Sequence, residues 1–399
     1  MTTYPDPLPF PFGEAGRLLL PAEYERLRTQ EGLGRVQPPF GGPAWLATRY
    51  EDVKKVLSDP RFSRGRALTD DAPRLVAFLP PPDTIMAMDP PEHTRLRRVV
   101  AQGFTMRRME KLRPRVQEIV DELLDTMDKN GSPVDLVRAF ALPASVTVIC
   151  ELLGVPFGDR DQFGAWVDAI MSSEDTQQNA EQANIDLMSY IAAMVAERRE
   201  QPTDDLISVL AQAGDSGGKL TDHEIVGLAS AVLIAGYIVT FHQIGNYAYA
   251  LLSNPAHLRQ LQDNPQLVPQ AVEEMLRFVP PATGEGVPRV ATEDVEVGGV
   301  IVRAGEAVLP STMSANRDAS VFSNADSMDF TRQDNPHLGF GYGPHHCLGA
   351  QLARVELQVV IASLVRRFPS LRLAVPVDEV PWRKDTVWSG PEQYRRIAA

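Results

Sequence analysis

Apolar positions recur at helical spacing along most of the chain, and the pattern predicts helices over 21–30, 50–58, 91–101, 106–130, 142–154, 160–172, 183–200, 204–213, 221–252, 255–263, 268–278 and 348–367. The longest opens on Thr221 with Glu224 three residues on, a reciprocal capping pattern that fixes its first turn. At ~1.5 Å per residue it would reach ~48 Å, enough to cross the molecule. Period-two segments are short and few: 45–48, 294–298, 300–302 and 307–309 read as strands, with more expected between Leu371 and Arg395. Much helix beside a small antiparallel β region makes a mainly α (α+β) fold. Two long stretches, 63–89 and 315–344, carry neither period, and loops of that length usually serve a function.

Composition narrows the class. At 44% hydrophobic and 23% charged, 399 residues can bury a large core, so disorder is a poor default. No Gly/Ser-rich linker, charge block or fixed-period repeat divides the chain, and residues 1–399 are expected to form one domain. A formal charge of −13 would repel a phosphate backbone, which argues against nucleic acid as a partner. Residues 1–13 lack the basic start and apolar run of a signal peptide. The strongest apolar segment, 225–235, reads as too short to span a membrane, so a soluble, cytoplasmic protein is expected.

Only two cysteines occur, which excludes a disulfide framework and suits a reducing compartment. Cys150 lies in an apolar helical stretch closed by Gly154 and Pro156, where cysteine behaves as a small hydrophobe. Cys347 is different. It sits in Phe340-Gly-Tyr-Gly-Pro-His-His-Cys-Leu-Gly349, with glycines at 341, 343 and 349 that permit close approach and positive φ. A helix is predicted to start just after the sulfur, and its dipole would favour thiolate over thiol. Such a thiolate is a nucleophile or a metal ligand. Zinc fits poorly, because His345, His346 and Cys347 are crowded together and no second Cys/His pair follows. A cysteine hydrolase would need a distant His and Asn or Asp, and it leaves the remaining motifs unexplained.

This loop resembles the haem-binding signature F-x-x-G-x-[HR]-x-C-x-G of the cytochrome P-450 superfamily, with Phe340, Gly343, His345, Cys347 and Gly349 in register. Glu274-Met-Leu-Arg277 resembles the family's E-x-x-R motif, and Arg332 matches the third member of its ion-pair triad. Asp89-Pro-Pro-Glu-His-Thr-Arg-Leu-Arg97 is similar to the segment whose His and Arg hold a haem propionate, which places His93 and Arg97 there, with Arg289 and His345 at the other two propionate positions. Donors of this kind aimed at two carboxylates are sound electrostatics in a dry pocket. The resemblance spans nearly the whole chain. It implies a helical triangular prism with haem b between the helix bearing Ala235 and Gly236 and the helix after Cys347, which would be the axial ligand of iron.

It also implies O2 as co-substrate, with the thiolate pushing electron density onto iron to favour O–O cleavage. Electrons from NAD(P)H would arrive through ferredoxin reductase and ferredoxin, since no dinucleotide-binding fingerprint is present. Arg107, Arg108, Lys111 and Arg113 are candidates for the docking patch, although a charge run is more often a solvated face. The pattern is similar to that of bacterial members that tailor secondary metabolites, especially macrolide hydroxylases. Substrate contacts are expected from Phe78, Met86 and Ala87, from Ile234, Ala235, Ile238 and Val239, from 282–286 including Gly284, and from Val387 and Trp388.

One departure bears on mechanism. Family members read A-G-x-[DE]-T-[TS] on the long helix; this chain reads Ala235-Gly-Tyr-Ile-Val-Thr240, with Ile238 in the place of the acid and Val239 in that of the alcohol. Neither donates a proton or holds a water. The substrate's own polar groups could complete a proton path, or Thr240 could substitute if a π-bulge at Gly236 corrects the register, or the chemistry needs less of that apparatus. Hydroxylation of a natural product is the leading expectation, with oxidative C–C or C–N coupling or ring closure of an aromatic natural product second. A haem-based sensor with little turnover is the alternative from another class.

Overall fold

The computed structural model describes residues 6–13, 17–69, 71–75, 83–171, 177–215, 220–280, 287–382, 390–391 and 397–398. Its helices are α1 (Ala22–Thr29), α2 (Tyr50–Ser58), α3 (Glu92–Val100), α4 (Met106–Asn130), α5 (Leu142–Leu153), α6 (Arg160–Met171), α7 (Gln177–Glu200), α8 (Leu206–Asp215), α9 (Asp222–Ser253), α10 (Pro255–Asp263), α11 (Val268–Phe278), α12 (Thr312–Ala315) and α13 (Ala350–Arg367). Where starts differ from the periodic pattern, local chemistry explains the shift. α8 begins at Leu206 and not at Asp204, because the Asp205 carboxylate caps the helix, accepting from the Ser208 N–H at 2.7 Å. α13 begins at Ala350, since Gly349 takes the cap position and Cys347 and Leu348 lie in the preceding turn. The α9 capping box forms as read: Glu224 N–H donates to Thr221 Oγ1 at 3.2 Å, and Thr221 N–H to Glu224 Oε2 at 2.7 Å.

The strands are β1 (Leu8–Pro9), β2 (Gly34–Gln37), β3 (Ala44–Ala47), β4 (Phe62–Ser63), β5 (Arg289–Ala291), β6 (Val295–Val297), β7 (Val300–Val302), β8 (Ala307–Pro310), β9 (Arg372–Leu373) and β10 (Ile397–Ala398). The mainly α fold stands, but the β region is mixed and not wholly antiparallel as expected. In the six-stranded sheet, ordered β1-β2-β3-β8-β5-β4, the pairs β1–β2 and β3–β8 are parallel. Tight hairpins force antiparallel pairing only between strands adjacent in sequence. Trp45 pairs with Val308 across a connection of most of the molecule, which imposes no such direction.

The largest apolar cluster is helical, drawn from α3 to α11 and α13, and each fully buried Leu, Ile or Val in it contributes about 1.5–3 kcal/mol. A second cluster joins α2 to one face of the sheet and a third packs α1 on its other face. The longest helix, α9, corrects the reading of its apolar run as too short to span a membrane: its charge-free stretch continues to Leu252, and it is long and apolar enough to cross one. Here α5, α7, α8 and α13 pack around it, and from Tyr237 to Leu252 nearly every residue is buried. Both faces are apolar because both are covered.

Candidate active site

Two glycines shape the cysteine loop. Gly341 and Gly343 adopt φ of +70° and +72°, and a Cβ on Gly343 would lie 2.6 Å from the Leu57 carbonyl oxygen at the end of α2. Gly349 differs from expectation: its φ is −83°, because it serves as the cap of α13 and not as a left-handed turn. The Cys347 N–H donates to the Phe340 carbonyl at 2.8 Å and closes the loop. The side chain of Cys347 is solvent-accessible although dense protein surrounds it, so its surface lies in a recess.

Burial pushes the Cys347 thiol up, while the Gly349 N–H, Arg97 and Arg354 all favour the anion. Cys150 is fully buried and its thiol is pushed up to about 12 by burial, as a small core hydrophobe should be.

Beside the cysteine loop lies a cluster of cations. The rings of His93, on α3, and His345 are 4.0 Å apart, and Arg97 donates to the His346 carbonyl. Arg289, on β5, is buried, and one of its nitrogens reaches the Val287 carbonyl at 2.7 Å. Burial, with Arg97 and Arg64 next, depresses His93 to about 4. Burial, with Arg64, His93, Arg289 and Arg97, depresses His345 to about 2. Both imidazoles are therefore neutral near pH 7. The structure thus brings together all four residues assigned to propionate binding. It adds Arg64, which sequence reasoning missed: nothing in Ser63-Arg64-Gly65 marks it except its place in the long irregular stretch.

These residues fit an ionised haem. His93 Nδ1 and Arg64 Nε are buried without hydrogen-bond partners, and among the described residues Asp89 is the only carboxylate acting on the Arg64 and Arg289 guanidiniums. A buried polar group lacking a partner costs about 1–3 kcal/mol, so such a cluster suits an anionic ligand. Ala235 is exposed in the middle of α9, and Val239, one turn on, is half-buried on the same face.

The motif behind the loop is formed in full. Glu274 accepts from Arg277 Nε at 2.9 Å and Nη2 at 2.7 Å, and from Arg332 Nε at 3.0 Å, with all three side chains buried. Arg277 also donates to the carbonyls of Asn316, Ala325 and Ser327, pinning the second irregular stretch to α11. A further brace went unread: Glu273 holds Arg354 in a bidentate pair at 2.7 and 2.9 Å, and the Arg354 guanidinium lies 4.6 Å from the centre of the Phe340 ring.

Several expectations for α9 and the substrate contacts change. The helix is α throughout, without a π-bulge at Gly236; its backbone there is closely approached by Ile149, and the π turn of this fold is at Val137–Ala141 instead. Thr240 therefore stays about 100° round the helix from Val239. Ile238 does not line the recess: it is 4% exposed and packs in the helical core. Ala87 is likewise core, whereas Met86 is exposed and Ile234 half-buried. Phe78, Gly284, Val387 and Trp388 lie outside the described residues. In the proposed docking patch, Arg108 pairs with Asp204 and Arg113 with Glu110, so part of its charge is neutralised within the chain.

Comparison with known proteins agrees with this geometry. Residues 41–387 match the family model of cytochrome P-450. The chain is 47% identical over 394 residues to the mycinamicin IV hydroxylase/epoxidase of Micromonospora griseorubida, covering 98% of each. It is 47% identical over 391 residues to the nocardicin C N-oxygenase of Nocardia uniformis subsp. tsuyamanensis, again covering 98% of each. A solved structure of a mixed-function P-450 with mycinamicin IV superposes with a TM-score of 0.95 at 46% identity, over 99% of this chain and 100% of the other. The chain belongs to the cytochrome P-450 family and is a monooxygenase, an iron-haem enzyme that uses O2 and electrons from redox partners. The sensor and hydrolase readings gain nothing from these matches.

Proposed function

We propose that this enzyme, acting as one unit over 1–399, oxidises a C–H bond of a secondary metabolite, with Cys347 as axial ligand and His93, Arg97, Arg289 and His345 toward the haem propionates. The observation that carries the reading is the recessed Cys347 beside a buried cation cluster with too little negative charge of its own. Haem bound there would supply dioxygen activation, and its iron would supply the positive charge that keeps the sulfur ionised against burial. Phe340 and Gly349 flank the sulfur on either side of the loop. Ala235, with only a methyl group, leaves room over the distal face, and Gly236 keeps α9 close to α5. Electrons would come from NAD(P)H through ferredoxin reductase and ferredoxin in the cytoplasm.

The side chains facing the recess from α9 hold no proton. Val239 shares the face of Ala235 and offers only methyl groups; Ile238 and Thr240 are turned into protein. With a continuous α-helix, rotation of Thr240 into place is disfavoured, and protons would be relayed by water held on the substrate's own polar groups. The same apolar face favours, as a second reading, oxidative C–C or C–N coupling or ring closure, which asks less of proton delivery.

Reduced, carbon-monoxide-treated holoprotein should absorb near ~450 nm, and Cys347→Ala should abolish the band. A band that survives the substitution removes the ligand assignment. Val239→Thr should raise the product formed per NADPH for simple substrates, and an unchanged or lower ratio would show that proton delivery was never limiting.

A further inference from the structure

Arg64 is absent from every motif, yet it stands in the cation cluster. Its backbone is fixed by Asp89, whose carboxylate accepts from Ser63 Oγ at 2.5 Å, Arg64 N–H at 2.8 Å and Gly65 N–H at 3.1 Å. The Asp89 carbonyl meanwhile accepts the His93 N–H at 3.1 Å, so one residue locks the turn after β4 to the start of α3. The Arg64 guanidinium is left to the recess. Its Nε has no partner, and burial, with Arg289 adding to it and Asp89 opposing it, lowers Arg64 to about 9. No fold requirement for that position is visible: an arginine held only for structure would have its nitrogens on carbonyls or a carboxylate, as Arg277 does.

Arg64, Arg97 and Arg289 bring three guanidiniums together, and among the described residues Asp89 is the carboxylate that acts on two of them. That surplus of positive charge is what the carboxylates of a bound ligand would offset.

We infer that Arg64 is a fifth propionate-binding residue, presented to the haem carboxylates by the Asp89-capped turn. This rests on the haem reading above, and the test separates the two. The full chain is reconstituted with haem and with haem dimethyl ester, whose propionates carry no charge, and release to excess apomyoglobin is timed for wild type and Arg64→Gln. Haem should leave the variant roughly tenfold faster or more, the size expected of a charge-assisted bond. The ester should leave both proteins at nearly the same rate, while the ~450 nm band persists in both. Equal acceleration for haem and ester would overturn the inference, since the residue would then be structural; so would unchanged haem release. Arg64→Lys, which keeps the charge without the fork, should fall between, and it carries the same cycle if the glutamine variant does not fold. A wild type that takes up haem without the ~450 nm band would instead strike the ligand assignment of Cys347 and leave the propionate cycle standing.

Discussion

Two arginine-rich clusters flank the cysteine loop, and they are opposites. In the Glu274–Arg277–Arg332 cluster every charge meets a partner: the carboxylate takes both arginines, Asn335 and the Asp329 N–H, Arg277 also donates to three carbonyls and Arg332 to that of Ser323. In the Arg64–Arg97–Arg289 cluster two histidines are forced neutral, and Arg64 Nε and His93 Nδ1 stay without partners. The first has its charges paired within the polypeptide and holds the fold. The second is complete only with an anionic ligand. Glu274, Arg277 and Arg332 are buried, whereas Arg64 and Arg97 are half-buried, and it is the buried polar atoms left without partners in the second cluster that mark it as a binding one.

The comparison breaks most visibly at Glu274. Glu274→Gln leaves two buried guanidiniums without their carboxylate and should destabilise the protein by about 3–5 kcal/mol, read from chemical unfolding or from the loss of soluble protein. A midpoint equal to wild type would erase the distinction drawn here.

A smaller effect comes from Glu356, a buried acid on α13 that accepts from Ser145 Oγ at 3.1 Å. Burial raises its carboxyl from 4.5 to about 8, against the Ser145 hydrogen bond. The unfolded chain therefore releases this proton first, and stability present below about pH 4.5 is lost as pH rises through about 8. Glu356→Gln should remove that slope, a change on the order of a few kcal/mol across the window by thermal unfolding. A slope that persists would mean the carboxyl finds compensation when ionised.

The smallest effect sharpens the contrast from outside. Arg113 pairs with Glu110 on the exposed side of α4, at 2.7 and 2.9 Å, geometry as good as that of Glu274 and Arg277. Water competes for both groups there, and Arg113→Ala should cost no more than about 1 kcal/mol. A loss approaching that of Glu274→Gln would show that bond length, and not burial, sets the scale.

Much of this was legible in the residues. Local rules placed most helix ends, since caps such as Thr221–Glu224 depend on neighbours a few residues apart. Motif register brought Glu274 to Arg332 and His93 to His345 before any coordinates did. Other readings failed where distance decided. The parallel pairing of β3 with β8, the inward packing of Ile238 and the left-over charge of Arg64 arise between segments far apart in the chain.

The sequence by itself determined that the chain is helical, rich enough in apolar residues to bury α9 on both faces, and furnished with a cysteine in a glycine-shaped loop, because periodicity, capping and turn chemistry are local. Only the tertiary structure decided that burial opposes the cations and N–H around Cys347, that Val239 stays half-buried while Ile238 packs in the core, and that one cluster of arginines is neutralised while its neighbour is not. Burial and charge balance are sums over everything that surrounds a group, and those surroundings exist only once the chain has folded.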